Sequence, residues 1–125
     1  MADEKKCECS GAPALVFPCS GASDVGEIVD RAARKMKREG TGSMYCLAGI
    51  GGRVSGIMAT TESAAKILAI DGCPLNCAKN SLEQAGFKQY EHLQLADLGL
   101  EKGKTPPTPE AIAKVVMAGA TKLAC

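Results

Sequence analysis

Apolar residues in this chain come in two alternating rhythms. The run ALVFPCSG at 14–21 is continuous and ends in Pro, Cys and Gly, the pattern of a strand buried on both faces that leads into a turn. After Ser23 or Asp24, either of which is a suitable cap, Val25, Ile28, Val29, Ala32, Ala33 and Met36 recur at helical spacing. Glu27, Asp30, Arg31, Arg34, Lys35 and Lys37 fill the opposite side, and Gly40 stands where the helix should end. The unit then repeats. SMYCLAGIGG at 43–52 predicts a second strand opening into a glycine-rich turn, RVSGIMATTES a short helix, and AAKILAIDG at 64–72 a third strand. CPLNCAKNSLEQAG predicts a helix with Pro74 at its first position and Gly86 at its stop, and FKQYEHLQLADLG a fourth strand near 89–96. Past the loop GLEKGKTPP, Thr108 and Pro109 open a last helix that buries Ile112, Val115, Val116, Gly119 and Leu123.

Strands alternating with helices in this way predict an α/β fold: a small three-layer domain of about four parallel strands with helices on both faces, Rossmann-like or flavodoxin-like. With 125 residues, one such domain at 13–125 accounts for the chain, preceded by a polar tail at 1–12 that is expected to be mobile and carries a CEC pair. In sheets of this kind ligands gather at the carboxyl ends of the strands, beside the helix N-termini.

Composition narrows the function by exclusion. Fifteen basic and 14 acidic residues leave a net charge of +1, so nothing argues for nucleic acid or an anionic membrane as partner. Without Trp, and with two Tyr and two Phe, the chain has no material for a base-stacking platform or an aromatic cage. No run of 18 apolar residues and no signal-peptide core stands out, so a soluble, cytoplasmic protein is expected. Seven cysteines are then the outlying feature. In a reducing compartment they point to metal binding or thiol chemistry rather than to structural disulfides, and an odd count agrees.

Four of them map to one edge. Cys19 ends the first strand, Cys46 lies in or near the end of the second, Cys73 ends the third, and Cys77 follows within DGCPLNCAKN. If Cys73 caps the helix and Pro74 begins it, Cys73 and Cys77 project on one side with Cβ atoms about 5–6 Å apart. Both sulfurs then reach one ion. Zn–S bonds of about 2.3 Å place tetrahedral sulfurs a little under 4 Å from one another, so two further thiolates are needed, and Cys19 and Cys46 are the natural donors. Helix N-termini at this edge favour thiolate over thiol, which serves a metal site and a reactive thiol equally. The plain alternative for each cysteine is packing, strongest for Cys46 inside its apolar run and weakest for the Cys73 and Cys77 pair.

The stretches FPCSGASDVG, MYCLAGIGG and DGCPLNCAKNSLEQAG together resemble the DGC-domain family, named for the Asp-Gly-Cys that stands here at Asp71, Gly72 and Cys73. The resemblance runs from about Leu15 to Leu98 and implies a zinc site whose four chelating cysteines fall on Cys19, Cys46, Cys73 and Cys77. It implies no catalytic residue and no organic cofactor.

Other signals are weaker. GIGGRVSG matches only part of a dinucleotide fingerprint, because Val54 stands where the third glycine belongs, so a tight turn is expected rather than a phosphate cradle. Asp71 suits a helix cap or a hydrogen bond behind a metal ligand. His92, the single histidine, lies among buried leucines with nothing in the sequence to bring it to the cysteine edge. Two readings follow. The first is a metal-binding protein in trafficking or sensing, with zinc in a Cys₄ site and a different thiophilic metal or an Fe–S cluster as variants. The second is a thiol-based redox or sulfur- or selenium-transfer protein that uses Cys73 and Cys77. Either implies a protein partner or a small thiophilic ligand, and the pattern leaves open whether the protein is an enzyme.

Overall fold

A computed structural model of the chain describes residues 13–124, so the CEC pair of Cys7 and Cys9, the predicted tail and Cys125 lie outside the described residues. Four strands, β1 (Ala14–Pro18), β2 (Ser43–Met44), β3 (Lys66–Asp71) and β4 (Glu91–Gln94), form one all-parallel sheet in the order β2-β1-β3-β4. Five α-helices connect and cover them: α1 (Asp24–Glu39), α2 (Leu47–Gly51), α3 (Ser55–Glu62), α4 (Cys77–Gln84) and α5 (Pro109–Leu123). The expected three-layer α/β architecture is present, and the strand order follows the flavodoxin-like pattern.

Alternation along the strands divides the core. Val16, Leu68, Ile70 and Leu93 face one side, where the apolar stripe of α1 and Val115, Val116 and Leu123 of α5 cover them. Leu15, Phe17, Ile67 and Ala69 face the other, under Ile50 of α2, Ile57 and Met58 of α3, and Ala78 and Leu82 of α4. The predicted stripe of α1 is buried throughout. Its Ser23 accepts a hydrogen bond from the Gly26 N–H, and Gly40 ends it with a φ of 80°.

Three element boundaries differ from the pattern read in the sequence. β2 is two residues long, and Cys46, expected in or near its end, instead occupies the N-cap position of α2. The expected glycine-rich turn begins as helix and turns at Gly52 and Arg53, and Gly49 lets α3 approach: a Cβ there would lie 2.2 Å from Ile57 Cδ1. The fourth strand is shorter than expected and passes into a 3₁₀ turn at Leu95–Leu98. Most consequential for the cysteines, α4 starts at Cys77 and not at Pro74, after a turn in which Asn76 takes a φ of 54°. A left-handed residue breaks a right-handed helix, so Cys73 and Cys77 are not successive positions of one helical face.

α5 starts as its sequence predicts. Thr108 accepts a hydrogen bond from the Ala111 N–H at 3.2 Å, with Pro109 next in the first helical position. Thr108→Ala is expected to cost about 1 kcal/mol, read as a lower urea midpoint at unchanged slope.

Candidate functional site

β1 leads to β2 in one direction across the sheet, whereas β3 lies on the other side of β1. The adjacent carboxyl ends of β1 and β3 therefore form the topological switch point, where open parallel sheets leave a crevice. The chain places Cys19 immediately after β1, and Gly72 and Cys73 immediately after β3. The ladder continues one residue past the end of β1, as the Cys19 N–H donates to Ile70 O at 3.0 Å. In return the Gly72 N–H donates to Cys19 Sγ at 3.4 Å.

Close packing of the loops makes this crossing possible. A Cβ on Gly72 would lie 2.9 Å from the backbone carbon of Val25, and one on Gly26 would lie 2.4 Å from Gly21 O. The turn after β1, the turn after β3 and the first turn of α1 thus meet with no room for a side chain between them. Cys19 is half-buried there. Burial pushes its thiol pKa up, the N–H groups of Gly21 and Gly72 work against that, and the nearby Asp71 and Cys73 charges push it further up.

Asp71 organises the second half of the site. Its carboxylate is buried, with 1% exposure, and accepts hydrogen bonds from the N–H groups of Ala78 at 2.7 Å and Lys79 at 3.1 Å. These are free donors of the first turn of α4, so the strand-end aspartate caps the helix across the intervening turn, as its sequence position suggested, and Cys73 does not. His92 Nε2 lies 2.9 Å from the second carboxylate oxygen. Next to it, Gln94 Nε2 donates to Asn76 Oδ1 at 2.6 Å. Two side chains of β4 therefore brace the Cys73–Cys77 turn, a role sequence reading missed for both. The register explains it: His92 pairs with Ala69 and Gln94 with Asp71, so all four side chains share a face, but only knowledge that β4 adjoins β3 would have revealed this.

Cys19, Cys73 and Cys77 line one cavity of about 470 Å³, together with Asp71, Leu75, the start of α1 and Lys102. An adjoining cavity of about 500 Å³ is lined by Cys46 and again by Cys19, along with Ser20, Asp30, Arg34 and Tyr45. Cys46 is exposed, and its neighbour Tyr45 packs edge-on against Phe17, with ring centroids 5.9 Å apart. Ser20 Oγ and Arg34 Nε hold the two oxygens of Asp30, both at 2.7 Å, which forms the rim of this second cavity. Sequence reading brought all four cysteines to one edge. The structure divides them between two cavities, with Cys19 common to both.

Soft thiols from separate turns are suitable donors for a thiophilic ion, so the donor chemistry fits zinc. As arranged here they are not drawn onto one centre: among the described residues no group of three His, Cys, Asp or Glu side chains is placed to hold an ion. The geometry expected of Cys73 and Cys77, one helical turn apart, is replaced by two thiols at either end of a turn. GIGGRVSG runs from the end of α2 through a turn into α3, and in that turn the Arg53 guanidinium donates to the carbonyls of Ile50 and Gln84 at 2.7 and 3.1 Å. No helix among the described residues is long and apolar enough to cross a membrane.

Among characterised proteins, the chain is similar to the anaerobic and virulence modulator AnvM of Pseudomonas aeruginosa, at 39% identity over 88 residues, which covers 70% of this chain and 67% of that protein. No solved structure matches it. The family model of the DGC domain matches residues 15–118, which span every element from β1 into α5 and all four edge cysteines. By that match the chain belongs to the DGC domain family.

Proposed function

We propose that the protein is a small cysteine-based regulatory protein, and that its cysteine edge binds a thiophilic metal ion, zinc first among them. Cys19, Cys73 and Cys77 are the donors on one side and Cys46 is the fourth, from the adjoining cavity. The observation that supports this reading is the gathering of three thiols from two neighbouring strand ends around a single cavity at the switch point. Four thiolates on a divalent ion carry two excess negative charges, and the N-terminus of α1 beside the cavity offsets them. An α/β domain of this size can fold without a metal, which favours sensing or delivery over folding as the use of an ion here. The name of the similar Pseudomonas protein, a modulator, agrees with a signalling role.

A second reading, thiol redox or sulfur- and selenium-transfer chemistry at Cys73 and Cys77, is favoured by the separation of the thiols from any common centre. Elemental analysis of the full chain purified without oxygen distinguishes the two. The metal reading expects about one equivalent of metal, lost in Cys73→Ser and in Cys77→Ser. Metal-free protein in which every thiol titrates and one alkylates rapidly below pH 7 would replace it with the second reading.

A further inference from the structure

The loop between the 3₁₀ turn and α5 is read from composition as a mere connection, but it reaches the cysteine cavity. Asp24, the first residue of α1, accepts hydrogen bonds from the N–H of Gly103 at 2.9 Å through one carboxylate oxygen and from the N–H of Thr105 at 3.1 Å through the other. The first oxygen also takes the Val25 N–H at 2.8 Å. The Gly103 and Thr105 bonds, acting ahead of a small opposing effect of burial, hold the Asp24 carboxyl below the usual carboxylate range. Within the loop, Thr105 Oγ1 donates to Glu101 O at 2.8 Å and the Lys104 N–H to the same oxygen at 3.1 Å, so residues 101–105 form a closed turn. Lys102 stands on this turn and lines the cavity of Cys19, Cys73 and Cys77.

We propose that Lys102 is the counter-charge of this cavity, seated over the thiols by the Asp24 latch, and that the cavity accepts small anionic partners of thiols in preference to neutral ones. The charges around it agree. Asp71, the one acidic residue of the lining, has its oxygens occupied by two helix N–H groups and His92, and Asp24 at the start of α1 has its own taken by the N–H groups of Val25, Gly103 and Thr105, so both nearby carboxylates are committed elsewhere than to Lys102. Lys104, two residues on, turns instead to Glu101 at 3.4 Å and is not part of the lining. Asp24 is a positioning residue in this scheme and touches no ligand. The inference rests on the cysteine edge being the working site, and it holds whether that edge carries metal or a reactive thiol.

Charge-selective alkylation of the reduced, metal-free full chain tests it, with modification read separately at Cys73 and Cys77 by peptide mass spectrometry. In each reaction the thiolate sulfur forms a bond to carbon as the C–I bond breaks and iodide leaves; iodoacetate and iodoacetamide differ only in the negative charge of the first. At low ionic strength Lys102→Met is expected to lower the iodoacetate-to-iodoacetamide rate ratio about fivefold, an effect that salt screens away. Asp24→Ala removes the acceptors of both Gly103 and Thr105. Because it also removes a charge, it is read as a background, in which adding Lys102→Met is expected to lower the ratio little further, while Lys104→Met alone leaves the ratio unchanged. General loosening would speed both reagents and leave the ratio alone. An unchanged ratio in Lys102→Met, whose side chain is exposed, overturns the proposal; a full Lys102→Met drop that persists in the Asp24→Ala background overturns the latch. Because the protein is metal-free throughout, failure here leaves the metal reading standing, and failure of metal loading leaves the ratio readable.

Discussion

Replacing Asp71 with alanine is expected to destabilise the domain by about 4 kcal/mol and to lower its melting temperature by on the order of 15 °C. The substitution removes three partners at once: the N–H groups of Ala78 and Lys79 lose their acceptor, and His92 loses its carboxylate. Water does not easily replace them, because the Asp71 side chain is buried and so is Ala78. Asp71→Asn keeps one acceptor oxygen and is expected to lose about half as much. Hydrogen exchange separates this cause from a general loss of packing. In the alanine variant the Ala78 and Lys79 amides should exchange far faster than those of Leu82 or Ala69, and equal acceleration across α4 and β3 would refute the capping role. The cysteine turn should suffer with the cap, since Cys73 and Cys77 are held between Asp71 and the helix it starts.

Gly26→Ala is the second substitution with a large expected effect, about 3 kcal/mol. A Cβ at this position would meet Gly21 at 2.4 Å from its oxygen, 2.7 Å from its carbonyl carbon and 2.8 Å from its nitrogen. All three are backbone atoms, so no rotamer change relieves the overlap, and the turn after β1 must move away from α1. That turn carries Cys19. Its displacement opens the packing that buries the thiol and draws Sγ from the Gly72 N–H, so Cys19 should alkylate severalfold faster in native protein while Cys46 keeps its rate. Urea unfolding gives the stability loss; a loss below about 1 kcal/mol would mean that the turn yields freely.

How far the sequence went depended on the range of the interactions concerned. α1 was legible but for the choice between Ser23 and Asp24 as its cap, because its stripe, its start and its terminal Gly40 are all local and agree with one another. The alternation of elements was enough for a parallel sheet, and from it the approach of Cys19 and Cys73 to one edge. At α4 the sequence offered Asp71 as a cap and the structure agrees, but Pro74 misled about where the helix begins, since Asp71 reaches across a turn that Asn76 reverses. β2 misled for a related reason: the apolar residues of SMYCLAGIGG suit a strand or a buried helix, and after Met44 they were used in α2. What remained hidden spans the chain. His92 and Asp71 are 21 residues apart, Asp24 and Thr105 81, and no pattern within one element signals either bond.

Cys19 lines both cavities, so the two share a wall residue. A shift of Cys19 on the Cys73 side is therefore felt on the Cys46 side. The Cys19 N–H is tied to Ile70 and its sulfur to the Gly72 N–H, so a change in the turn after β3 has a direct mechanical route to the wall of the second cavity.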